Sequence, residues 1–137
     1  MKVSSEFSKY AVEYDKYNVI QQKVLQKVLA TLQTKPKKIL DLGCGNGALA
    51  KSINWDYEKF VGLDFAPQML ELHPKSKNIE CIYGDFNDSD AFEKLYSYGF
   101  DHIFSLSSLQ WAKNLDNVFK HISRFQTPIS LAIFTSN

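Results

Sequence analysis

The run Asp41-Leu42-Gly43-Cys44-Gly45-Asn46-Gly47 sets three glycines at alternate positions behind an acidic residue. Glycine takes positive φ and admits a ligand close to the main chain, so a turn of this composition can cradle a nucleotide-like molecule. It can equally turn a strand into a helix with no ligand, and a lone glycine motif carries little weight by itself. Two more acids follow. Asp64 comes after Val61-Gly62-Leu63, where a carboxylate can accept two hydrogen bonds from a ribose diol or cap the next helix. Asp85 comes after Gly84. It could accept from an adenine amino group while Phe86 offers its backbone N–H, although Gly-Asp is also a common turn. Phe65 and Met69 could pack on a purine, though side chains of these types are more often core.

Two cofactor classes meet these requirements. Gly43, Gly45 and Ala48 match the G-x-G-x-x-G/A fingerprint of dinucleotide-binding domains, and Asp64 stands near the expected ribose position. Spacing alone therefore leaves a nicotinamide cofactor open. Charge argues the other way. Asp41 at the end of a strand would repel a pyrophosphate and attract a cation, and Asp85 adds a third acid to the same set. A ligand with an ammonium group, a sulfonium, ribose hydroxyls and an adenine suits these residues better than one with a diphosphate.

Other candidates are weaker. Cys44 lies inside the glycine turn and reads as a small filler. His73, His102 and His121 have no metal-ligand spacing relative to cysteines or acids and are expected at the surface or at helix ends. No metal site and no catalytic side chain are assigned.

Composition bounds the setting. The chain has 137 residues, 45% hydrophobic and 23% charged, with a formal net charge of +1. That length suits one domain able to bury a core. The charge argues against a general nucleic-acid binder, which would be strongly basic. Of the 16 basic residues, only Arg124 is an arginine. Two cysteines are too few for a disulfide framework. No apolar run approaches the roughly 18 residues of a membrane span, and the first residues lack the apolar core of a signal peptide. The expectation is a cytoplasmic protein that engages neither membrane nor nucleic acid.

The elements that must position the acids follow from periodicity. Gln21, Val24, Leu25, Val28, Leu29 and Leu32 form one stripe of a helix over 18–33. Strands are predicted over 38–42, 59–64, 78–83, 100–106 and 129–135. Helices are predicted over 47–53, from Pro67 to just before Pro74, over 88–96, and over 115–125 with Leu115, Val118, Phe119 and Ile122 on one face. Alternating strands and helices imply βαβ units and a parallel sheet. Ligands then bind at the carboxyl ends of strands near the switch in strand order, which is where the glycine turn, Asp64 and Asp85 fall. The expected fold class is α/β, a Rossmann-like mostly parallel sheet with flanking helices. One domain over 1–137 is expected, comprising a helical arm over 1–34 and a βαβ core over 35–137.

Taken together, these motifs resemble the class I S-adenosylmethionine-dependent methyltransferases. Asp41 to Gly47 resembles their first motif, Leu63-Asp64 their ribose-binding acid and Gly84-Asp85-Phe86 their adenine site. Phe100-Asp101-His102-Ile103-Phe104-Ser105 resembles their fourth strand. A narrower likeness is to the malonyl-acyl-carrier-protein O-methyltransferases of biotin biosynthesis. Phe7, Ala11, Tyr14-Asp15 and Gln21-Gln22 resemble their N-terminal arm, and the run Phe104 to Trp111 resembles their Leu-Gln-Trp segment, which methyltransferases of aconitate-like acids share. The resemblance implies that Gly43, Gly45 and Gly47 pass close to the methionine part of the cofactor. It further implies that Asp64 holds the ribose, Asp85 and Phe86 the adenine, and the Ser105 backbone the amino-acid end. Tyr14, Gln21 and Trp111 would border cofactor or substrate, although Tyr14 and Trp111 could equally serve packing.

The fold so implied has seven strands, and only five are predicted here. The sequence therefore leads one to expect a domain lacking the last strands, with an incomplete substrate side and little turnover of its own. It also leads one to expect an open fifth-strand edge able to self-associate. The implied reaction is methyl transfer to an oxygen of a small or carrier-bound acid. The rivals are a nicotinamide-dependent oxidoreductase and a non-catalytic cofactor-binding remnant.

Overall fold

The computed structural model describes residues 19–106 and 108–133. Five strands, β1 (Lys38–Leu42), β2 (Lys59–Asp64), β3 (Ile79–Tyr83), β4 (His102–Leu106) and β5 (Ile129–Ala132), form one sheet in the order β3-β2-β1-β4-β5. Every pairing is parallel. β1 and β2 are apolar and almost wholly buried along their length, as central strands covered on both faces must be.

A helix over 19–31 (α1) precedes β1. Four more follow: α2 (Ala48–Ser52), α3 (Pro67–Leu72), α4 (Ser89–Glu93) and α5 (Leu115–Ser123), with 3₁₀ turns at Tyr96–Tyr98 and Leu109–Trp111. Strand alternation sorts the core into two layers. Ile39, Phe60 and Phe104 point to the side where Leu25, Val28, Leu29 and Leu32 of α1 pack with Leu49 of α2. Leu40, Leu42, Val61, Leu63 and Ile103 point to the other side, against Phe86, Phe92, Leu95, Val118 and Ile122. The predicted stripe of α1 is thus the face that meets the sheet. In α5, Val118 and Ile122 are buried while Leu115 stays partly exposed.

The predicted bounds of β1 and β2 hold. The helix predicted over 88–96 is shorter: α4 ends at Glu93, and the N–H groups of Leu95 and Tyr98 turn back to Phe92 and Leu95 three residues earlier. The Tyr96 ring lies 4.5 Å from that of Phe125, and its hydroxyl donates to the His121 carbonyl at 2.7 Å. These tertiary contacts tighten the chain out of α geometry. α5 stops at Ser123, two residues short, and Gln126 just beyond takes φ 51°. β5 is described from Ile129 to Ala132; residues 134–135 of the predicted strand lie outside the described residues. β5 pairs with β4 alone, so its other side has no strand partner among the described residues.

Candidate cofactor site

β1 lies between β2 and β4, so the strand order switches at its carboxyl end, and there the glycine turn begins. Gly43, Gly45 and Gly47 all have positive φ, at 74°, 57° and 94°. The three serve different ends. A Cβ on Gly43 would overlap the Ser108 side chain, and one on Gly47 would overlap the ring of Pro74 beside His73. Around Gly45 a Cβ would meet nothing, so that position opens onto free space and glycine is demanded by φ alone.

Asp64 pins this turn. Its Oδ2 accepts the Gly45 N–H at 2.8 Å, and its Oδ1 accepts the Ala66 N–H at 2.8 Å, next to Pro67 at the start of α3. The partners of Asp64 are thus main-chain N–H groups on either side of the cavity's rim. Asp64 caps the chain after β2 and faces the space above the turn, with lone pairs left on both oxygens.

That space is a cavity of about 690 Å³, within the range of small-molecule sites. The walls come from Gly43 and Gly45, from Asp64 to Ala66 with Met69, from Gly84 and Phe86, and from Leu106, Ser108 and Trp111. Gln21 and Gln22 close it from α1. Phe65 and Trp111 are 56% and 68% exposed, so neither is a core residue, and both stand at the wall with free faces.

A smaller chamber of about 100 Å³ shares Gln21, Gly43, Gly45 and Leu106 with the main cavity and is lined in addition by Leu25, Asp41, Cys44 and Leu49. Asp41 is 4% exposed. Burial, and then the neighbouring charge of Asp64, push its carboxyl up to about 8. A buried acid with that tendency to hold its proton is stabilised as a carboxylate by a cation. The donor set therefore fits a ligand with an ammonium end in the chamber and a nucleoside in the larger cavity.

Across this geometry, the family model described as methyltransferase domain matches residues 39–128. The chain belongs to that family. Membership decides what the glycine spacing left open: the cofactor is the methyl donor S-adenosylmethionine rather than a nicotinamide. The chain is 28% identical to a malonyl-[acyl-carrier protein] O-methyltransferase of Legionella pneumophila, over 98% of this chain and 49% of that protein. It is 32% identical to the protein of the same name from Haemophilus influenzae, over 88% of this chain and 47% of that protein. The chain spans about half the length of the curated relatives it matches. Among solved structures, a chain of the complex between the Haloferax volcanii Trm112 methyltransferase activator and a methyltransferase superposes with a TM-score of 0.70 at 20% identity. That match covers 94% of this chain and 59% of the other, and it supports the fold.

Within the methyltransferase domain, the predicted site residues separate into groups. Gly43, Gly45, Asp64, Phe65, Phe86, Gln21 and Trp111 line the cavity, and Asp41 lines the chamber. Gly47, Asp85 and Ser105 do not line the cavity. Gly47 faces Pro74. Asp85 sits between the lining residues Gly84 and Phe86, and its Oδ1 accepts the backbone and side-chain N–H groups of Asn87, both at 2.9 Å. Ser105 is fully buried and donates to the Leu42 carbonyl. Tyr14, with Phe7, Ala11 and Asp15, lies outside the described residues. Asn46, Leu106 and Ser108 line the cavity without having been singled out from the sequence. Their adjacency to the glycine turn and to the Leu-Gln-Trp run was the available signal.

The histidines are engaged elsewhere. His73 ends α3 as expected of a helix-end residue, yet it is 2% exposed rather than superficial, and burial lowers its proton affinity. His102 meets Ser130 Oγ at 2.8 Å, and His121 stacks on Phe92 at 5.0 Å. Cys44 is buried, its Sγ close enough to block a Cβ on Gly62, in keeping with a filler.

Proposed function

We propose that this methyltransferase domain holds S-adenosylmethionine across the ends of β1, β2 and β4 and directs its methyl group to a carboxylate oxygen, that of a malonyl group on an acyl-carrier protein in biotin biosynthesis. The observation that carries the cofactor half is the pairing of a nucleoside-sized cavity with a small chamber walled by the buried acid Asp41. In this reading Gly43 and Gly45 flank the methionine part, with Gly47 holding the end of the turn. Asp64 meets the ribose, while Asp85, Phe86 and Phe65 meet the adenine. The backbone after Ser105 meets the amino-acid end, and Gln21, Trp111 and Tyr14 border the acceptor. The acceptor half rests on the names of the relatives and on the Leu-Gln-Trp segment. The setting proposed is the cytoplasm, and the open edge of β5 is proposed as a surface for self-association.

The bound cofactor supplies an electrophilic methyl group on a sulfonium. A carboxylate acceptor needs no general base, so no side chain is given a catalytic role. What the domain's residues contribute is placement, worth roughly 7–11 kcal/mol in favourable cases, and shielding from water, since joining carboxylate and sulfonium destroys charge. Among the described residues that line the cavity none is cationic, so a carboxylate acceptor meets no bidentate partner there. Arg124 is committed to Glu93 at 2.9 Å and to the Tyr96 ring.

The test is incubation with S-adenosylmethionine and malonyl-carrier protein, with the methyl ester followed by mass spectrometry. Ester formation is expected, at a rate below about 1 per second. Methylation of aconitate-like acids but not of the carrier protein would overturn the acceptor assignment. Cofactor binding with no transfer to any acid would favour a non-catalytic cofactor-binding module.

A further inference from the structure

The polypeptide leaves β1 through the Leu42–Gly43 peptide, and that peptide is held from both sides. Its N–H, on Gly43, donates to the Leu63 carbonyl of β2 at 2.8 Å. Its carbonyl, on Leu42, accepts from the Ser105 and Ser108 hydroxyls, each at 3.0 Å, and the two hydroxyl oxygens are themselves 3.0 Å apart. Two hydroxyl protons serve three contacts, so either both serines donate to the carbonyl or one donates through the other. The β1–β4 register ends at Asp41 opposite Phe104. Beyond it, the last residues of β4, through Ser105, and the segment that follows, through Ser108, are tied to β1. Ser108 also occupies the place a Cβ on Gly43 would take, and it lines the cavity. Its backbone therefore rests against the glycine turn at a separation set by the hydroxyl contacts and by the missing Cβ together.

We propose that Ser108 is a positioning residue: its hydroxyl, with that of Ser105, fastens the segment after β4 to the Leu42 carbonyl and so fixes the width of the cavity at the end bordered by the glycine turn. This rests on the cofactor assignment above, in which that end takes the amino-acid part of S-adenosylmethionine. A serine that only stabilised the fold would affect every ligand alike. One that sets this width affects the ligands that reach it.

The experiment compares the affinities of S-adenosylmethionine and of 5′-methylthioadenosine, which lacks the amino-acid part, by isothermal titration, with thermal melts alongside. Ser108→Ala is expected to weaken S-adenosylmethionine by about tenfold, about 1.4 kcal/mol, as the segment after β4 loses its fixed separation from the glycine turn, while leaving methylthioadenosine within about twofold. Ser108→Cys, close in size with a weak donor, should follow the alanine variant and covers the case in which alanine unfolds the domain. Ser108→Thr, which keeps the hydroxyl, should restore binding. Equal losses for both ligands, or an unchanged affinity for S-adenosylmethionine, would overturn the positioning role. Failure of the unsubstituted chain to bind either ligand would instead remove the cofactor assignment, and this inference with it.

Discussion

Asp64 uses both carboxylate oxygens on main-chain N–H groups, those of Gly45 and Ala66, and still faces the cavity. Asp64→Ala is therefore expected to weaken S-adenosylmethionine by about 1.5–3 kcal/mol, the range for hydrogen bonds to a charged group, and to lower the melting temperature as the turn loses its anchor. An unchanged dissociation constant in titration calorimetry would reduce Asp64 to a structural residue. Gly45→Val should abolish binding while far-ultraviolet circular dichroism stays near that of the unsubstituted chain. The site has room for the side chain, but φ of 57° and the ligand's approach do not. Normal binding by that variant would place the turn away from the ligand. The three glycines were legible as a motif; that Gly43 yields to Ser108 and Gly47 to Pro74 was not, because those partners lie far along the chain.

Asp41 carries a pH dependence whose sign follows from its burial. Unfolded, its carboxyl titrates at the ordinary value, 3.8, and folded it holds its proton to about 8. Between those values the folded state binds more protons, so this group's contribution to stability falls as pH rises from about 4 to 8. Asp41→Asn should therefore raise the melting temperature at pH 8 more than at pH 5, while weakening a ligand whose cation faces the chamber. Binding by the unsubstituted chain near pH 7 should release a proton, read as a dependence of the titration heat on the buffer's ionisation enthalpy. A melting difference independent of pH would contradict the buried, protonated acid.

At the scale of elements, the central strands were legible because burial on both faces leaves apolar runs, as in Lys38–Leu42 and Lys59–Asp64. The helix ends were less so. Nothing local to Asp88–Tyr96 shows that Tyr96 will reach Phe125 and the His121 carbonyl and draw the chain into a 3₁₀ turn. The edge strand β5 is uncharged, with Leu131 partly exposed, and strands of that kind pair with other chains unless something covers them. The 137-residue chain is expected to self-associate in size-exclusion chromatography with light scattering, and Ala132→Lys should shift it toward monomer. A strictly monomeric chain with this edge open to solvent would contradict the placement of β5 at an open edge.

At the scale of the whole molecule, the parallel order β3-β2-β1-β4-β5 brings the ends of β1, β2 and β4 to one rim, and the cavity forms where the order switches. The sequence placed the glycine turn, Asp64 and Asp85 on that rim through strand periodicity alone. The Gly-Asp turn it offered for Asp85 is present, with Oδ1 accepting the Asn87 N–H, but it did not show that this side chain stays off the cavity wall. Nor could it show that Asp41 is separated into its own chamber, since that depends on α1 packing across the turn. The most direct test of the account is isothermal titration of the chain with S-adenosylmethionine and, separately, with NAD. The account predicts saturable binding of S-adenosylmethionine at one site and no heat of binding with NAD. Binding of NAD alone would contradict it.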